Sequence, residues 1–134
     1  MLLLLIGGSQ LSHEVKLNCT VGDWNYNLGT LSNLTALEIS GSELVEIEAK
    51  VFQGMQDLEY LSLVANKLSS VLSNVIATIA KLRLFDLNSN QMEEIPNDIF
   101  SNNRKSKKIH LSSNKIKYLG DVLLNGPMKL NIVD

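Results

Sequence analysis

Apolar residues return every 24 positions along this chain, and that period restricts the available folds more than any other feature. Leu34, Leu58 and Leu82 align, and after them fall Leu37/Leu61/Phe85, Ile39/Leu63/Leu87 and Leu44/Leu68/Met92. A fourth copy starts at Ser106 and carries Ile109, Leu111, Ile116, Leu119 and Leu124, while Leu130, Ile132 and Val133 open a fifth. The units read 34–57, 58–81, 82–105, 106–129 and a partial 130–134. A unit this short cannot bury an apolar face alone, so the copies must stack. Function is then expected on the surface that stacking builds, not in an enclosed pocket.

Each unit follows L-x-x-L-x-L-x-x-N-x-L, as in Leu58-Glu59-Tyr60-Leu61-Ser62-Leu63-Val64-Ala65-Asn66-Lys67-Leu68. Apolar residues two apart share one face of an extended chain, so each unit contributes a short strand with its leucines inward. At the ninth position stand Asn66, Asn90 and Asn114, where the chain leaves the strand and an amide can satisfy backbone groups that the turn would orphan. Ser42 replaces asparagine in the first unit, which predicts a weaker turn there.

These residues make the chain similar to leucine-rich-repeat proteins of the 24-residue "typical" type. The later half of each unit adds to the likeness, with apolar residues at the fourteenth position (Ile47, Val71, Ile95, Leu119) and the nineteenth (Phe52, Ile76, Phe100, Leu124). The resemblance implies an α/β fold, a curved solenoid with a parallel sheet on the concave face and irregular, 3₁₀ or short helical turns on the convex one. Asn103, Ser106 and Pro127 depart from the apolar residues usual at their positions, which implies looser packing near the third-to-fourth junction. Units such as Asn114–Gly120 also resemble those of arthropod secreted and Toll-related repeat proteins.

Outside the repeats, Leu2 to Ile6 followed by Gly7, Gly8 and Ser9 resembles the apolar core and small-residue end of a secretory leader within residues 1–12. An apolar cap strand and a fragment boundary are the alternatives. Residues 13–33 read as a cap-like segment with Cys19, Trp24 and weak echoes of the repeat at Leu28 and Leu31. Extracellular relatives close their solenoids with disulfide-bonded caps, and a lone cysteine can form none internally. Cys19 therefore reads as a buried thiol, an intermolecular partner or the sign of a fragment. Asn18-Cys19-Thr20 and Asn33-Leu34-Thr35 match the glycosylation sequon, and together with the leader they predict a secreted, extracellular setting.

Between the inward leucines, side chains should project from the concave face in columns: Ala36, Tyr60, Leu84, Lys108 and Ile132; Glu38, Ser62, Asp86, His110 and Asp134; Ser40, Val64, Asn88 and Ser112. Strands about 4.8 Å apart let neighbours in a column touch. Tyr60, Leu84 and Val64 should form an exposed apolar island, and Glu38, Ser62, Asp86, Asn88, Lys108, His110 and Ser112 complete the expected partner surface.

Six acids against Lys50 lie between Leu34 and Glu59, and six bases (Arg104, Lys105, Lys107, Lys108, Lys115, Lys117) without an acid lie between Arg104 and Tyr118. That basic run offers a second reading, a sulfated-glycan site, against the plainer one of a solvated loop. The net charge of −2 argues for neither nucleic acid nor an anionic membrane, and no stretch is long and apolar enough to span one. No nucleophile elbow, phosphate loop or metal motif is present, so neither catalysis nor a cofactor is expected. The Asp86-His110-Asp134 column is the one constellation that could hold an ion. The pattern thus predicts an extracellular module that binds a protein on its concave face, as part of a receptor ectodomain or as a secreted immune or adhesion protein.

Overall fold

The computed structural model describes the backbone of residues 14–17 and all atoms of 32–71, 73–100 and 108–119. The leader-like segment, Asn18, Cys19, Trp24, Leu28 and Leu31 lie outside the described residues, as do Asn103 to Lys107, Leu124, Pro127, Ile132 and Asp134.

Five short strands form one sheet in chain order, every neighbouring pair parallel: β1 (Glu14–Leu17), β2 (Ala36–Ile39), β3 (Tyr60–Ser62), β4 (Leu84–Asp86) and β5 (Lys108–His110). Parallel neighbours oblige the chain to return behind the sheet after every strand. The return segments carry a 3₁₀ turn at Ala49–Phe52, a one-turn helix α1 at Ser73–Ala77 and a turn at 97–100. Each turns apolar residues toward the strand leucines: Val51 and Phe52, Val75 and Ile76, Ile99 and Phe100. Between the two layers lies one continuous core that includes Leu37, Ile39, Leu61, Leu63, Phe85, Leu87, Ile109 and Leu111. The inward side chains of the repeat pattern are therefore those the fold buries, because a strand presents alternate residues to one face.

Ala36, Tyr60, Leu84 and Lys108 stand opposite one another across β2 to β5, the 24-residue register. The cap-like segment joins the same sheet: Glu14 pairs with Ala36 and Leu17 with Ile39, so the first turn of the stack is two residues shorter than the rest. Its strand lies upstream of Leu28 and Leu31, where the sequence showed its echoes.

The asparagines tie turn to turn. Asn66 Oδ1 accepts the N–H groups of Ser42 and Leu44, and its Nδ2 donates to the carbonyls of Ile39 at 2.8 Å and Leu63 at 2.9 Å. Asn90 accepts from Leu68 N–H and donates to Leu63 and Leu87, while Asn114 accepts from Met92 N–H and donates to Leu87 and Leu111. The carbonyls of Leu63 and Leu87 thus each accept two amides, one from their own unit and one from the next. A carbonyl oxygen has two lone pairs, and this arrangement fills both. The residue before each ninth position is left-handed: Gly41 at φ 61°, Ala65 at 56°, Ser89 at 57° and Ser113 at 55°. That conformation costs a non-glycine residue about 1–2 kcal/mol. Backbone bonds to the following unit hold it, from Gly41 N–H to Val64, Ala65 to Asn88 and Ser89 to Ser112.

Ser42 keeps one of the asparagine's roles, donating its hydroxyl to the Ser40 carbonyl at 3.1 Å as the amides do to the residue two positions back. Beside it Glu43 is also left-handed, at φ 56°, a second such residue that the turns with asparagine lack.

Two substitutions test this framework by denaturant unfolding. Leu61→Ala opens a cavity between strands and should cost about 2–5 kcal/mol; a change under about 0.5 kcal/mol would contradict the register. Asn90→Ala strips partners from both neighbouring turns and should cost about 3 kcal/mol or more, against about 1 kcal/mol for Asn88→Ala, whose side chain accepts a single N–H from Ser112 at 2.7 Å.

Candidate interaction surface

The sheet face turned away from the core carries the columns that the repeat period defines. Across β2 to β5 one row runs Ala36, Tyr60, Leu84, Lys108 and the next Glu38, Ser62, Asp86, His110. Immediately after the strands come Ser40, Val64, Asn88 and Ser112, each half-buried.

Most of these side chains are reachable to differing extents. Lys108 is exposed, and Glu38, Asp86 and His110 are half-buried. Ser62 departs from expectation: it is 3% exposed and offers almost no contact area. A two-atom side chain flanked in its row by Glu38 and Asp86 lies below its longer neighbours. The apolar island is also more sheltered than its sequence suggests, since Tyr60, Val64 and Leu84 are all half-buried, with Tyr60 and Leu84 opposite one another on adjacent strands. Val45 and Tyr118 are the exposed large hydrophobic residues among those described, and neither stands on this face by the repeat register.

Polar contacts order the face. Asp86 accepts the N–H of Asn88 at 3.0 Å through one oxygen and lies 3.3 Å from His110 Nδ1 through the other. Ser40 donates its hydroxyl to Glu38 at 3.0 Å. Asn88 bridges to the next unit by accepting from Ser112 N–H, a partner that position in the motif does not announce. Asp134, third member of the expected ion-holding column, is outside the described residues. Among the described residues no group of three or more His, Cys, Asp or Glu is placed to hold a metal ion. Nor is any helix there long and apolar enough to cross a membrane.

The charges lie in an arrangement that their linear distribution conceals. Glu43 pairs with Lys67, Asp57 with Lys81, Glu59 with Arg83 and Glu93 with Lys117, every acid one unit before its base. The signal was available in the sequence as opposite charges 24 residues apart. Of the candidate glycan-binding bases, Lys117 is therefore held at 2.7 Å by Glu93, Lys108 stands on the sheet face, and Lys115 is exposed. Arg104, Lys105 and Lys107 lie outside the described residues. Asn33, the second sequon asparagine, is exposed in a turn ahead of β2.

Residues 32–92 match the family model described as leucine rich repeat. A solved leucine-rich-repeat protein of Leptospira interrogans resembles the chain with a TM-score of 0.63 at 17% identity. The match covers 88% of this chain and 36% of that one. The fold is a leucine-rich-repeat solenoid. No curated protein matches the chain significantly. The chain spans little more than a third of the Leptospira protein, and at this identity the likeness speaks for the fold alone. Leucine-rich-repeat domains generally mediate protein–protein interaction and are typically scaffolds without enzymatic activity.

The inter-unit ion pairs give a titration test. The hydrogen bond from Lys117, then its charge, and further away Lys115, hold the Glu93 carboxyl below its ordinary value. A depressed carboxyl contributes stability at neutral pH that disappears as the pH falls through the folded-state value. Because both side chains are more than half exposed, that contribution is small. By NMR the Glu93 midpoint should rise in Lys117→Ala; an unchanged midpoint would mean the pair is not formed in solution.

Proposed function

We propose that this leucine-rich-repeat chain is an extracellular recognition module that binds a protein partner through the concave face of its sheet. It would serve as a piece of a receptor ectodomain or as a secreted immune or adhesion protein. The observation that carries the reading is the apolar group of Tyr60, Val64 and Leu84. Tyr60 and Leu84 stand side by side on the face opposite the core and Val64 follows just beyond the end of β3, with Glu38, Asp86, Asn88, Lys108, His110 and Ser112 on the same face. An aromatic and two aliphatic side chains inside a polar margin are the composition of a protein contact, in which such anchors supply most of the affinity. Support for the extracellular setting comes from the leader-like leucine run, the two sequons and the exposure of Asn33. Asn33 is then the preferred acceptor for a glycan.

The sulfated-glycan reading has less behind it, because Lys117 is already engaged by Glu93. Both can be tested on one purified protein against a panel of purified extracellular ectodomains and a heparin column. Tyr60→Ser with Leu84→Ser should abolish ectodomain binding with the thermal midpoint retained, since neither side chain belongs to the buried core. Binding should also persist as ionic strength rises, as expected of an apolar contact. Ectodomain binding that survives this pair and disappears with Lys107→Glu and Lys108→Glu, together with heparin retention, would overturn the proposal in favour of the glycan site.

A further inference from the structure

Across β2 to β5 the sheet face carries Glu38, Asp86, His110 and Lys108, and the first three are engaged within the fold. Glu38 accepts the Ser40 hydroxyl, and the two oxygens of Asp86 are taken by Asn88 N–H and His110 Nδ1. Lys108 is exposed, and its ammonium has no hydrogen bond or ion pair among the described residues. The 24-residue offset gives the reason. Lys67, Lys81, Arg83 and Lys117 each meet an acid one unit earlier, whereas Lys108 has Leu84 one unit earlier and Ile132 one unit later in the sequence. The row that Lys108 completes runs Ala36, Tyr60 and Leu84 before it, with no acid from β2 to β5.

A free cation at the end of an apolar row is placed to orient whatever the row anchors, because charges at the margin of a contact select and align the partner that the apolar centre holds. We propose that Lys108 receives a carboxylate of the protein partner, an aspartate or glutamate side chain adjacent to the apolar residue that rests on Tyr60 and Leu84. Strands about 4.8 Å apart put Lys108 one step along the row from Leu84 and two from Tyr60. The acid is therefore the next residue on the same face of the partner's segment: one turn further along a helix, or two residues further along an extended chain. Asp86, diagonally across from Lys108, does not compete for the ammonium, since both its oxygens already accept donors. A carboxylate on Lys108 fixes which way the partner lies across the strands, with its acid toward β5 and its apolar side toward β3. This inference rests on the reading of the concave face as the binding surface.

The test uses a displayed random-peptide library selected on the whole chain and, in parallel, on the Tyr60→Ser/Leu84→Ser protein. Peptides that depend on the face should be enriched in aspartate or glutamate at a fixed short spacing from an aromatic or aliphatic residue. A synthetic peptide of that consensus should lose roughly threefold to tenfold in affinity for Lys108→Gln, with the thermal midpoint retained because the Lys108 ammonium has no bond within the described fold. Replacing the peptide's acid by its amide should cost as much and add little on top of Lys108→Gln. Lys108→Glu should reject the acidic peptide and accept one in which the acid is changed to lysine. The loss caused by Lys108→Gln should also shrink as ionic strength rises, while binding through Tyr60 and Leu84 persists. Face-dependent peptides without an acid, or indifference to the amide and to Lys108→Gln, would overturn the carboxylate site and leave the concave-face reading standing. Failure to recover any face-dependent peptide would overturn both.

Discussion

The side-chain amides of Asn66, Asn90 and Asn114 hold the stack together where the sheet cannot. At the end of each short strand the chain turns away with carbonyls and N–H groups that no neighbouring strand reaches, and burying them unpaired would outweigh the apolar gain of a unit this small. One amide answers for both. Its oxygen takes N–H groups of the turn before, and its nitrogen reaches back to that unit's strand end as well as to its own. Because Leu63 and Leu87 each accept from two asparagines, the turns form a continuous polar seam beside the apolar core. Each unit therefore depends on its neighbours twice, through leucines and through amides.

That dependence explains a backbone feature that local preference disfavours. Ala65, Ser89 and Ser113 occupy a left-handed conformation that suits glycine, which the chain uses at Gly41 alone among the four equivalent sites. Three residues can be held there because their N–H groups or the asparagines beside them are anchored to the adjacent unit, which over-determines the turn. Where the amide gives way to Ser42, a second left-handed residue follows at Glu43. The turn that has lost its bridging amide is the one whose backbone bends further.

The same 24-residue offset that builds the core also arranges the surface. Acids of one unit stand beside bases of the next, so the excess of acid early in the chain and of base late in it is partly neutralised in space. On the sheet face the offset gathers Tyr60 with Leu84 and Glu38 with Ser62 and Asp86. A surface of adjacent rows, each with its own chemistry, suits recognition of an extended set of groups on another protein better than the enclosure of a small molecule.

Much of this was legible in the chain itself. Spacing alone identified the strands, the inward leucines, the turn asparagines and the register that brings Tyr60 beside Leu84, because each is a local consequence of a period that stacking must repeat. What tertiary structure decided was everything that depends on a neighbour's size or position. Ser62 belongs to an outward row and is nevertheless buried, since its neighbours in that row are longer. Tyr60, Val64 and Leu84 are half-covered. Glu14–Leu17 joins the sheet two residues closer in sequence than the repeat, so the 24-residue period does not reveal it. Periodicity in a sequence determines which residues face inward and which stand side by side; how deeply each is covered and what it bonds to depend on distances between units, and those exist only once the units are stacked.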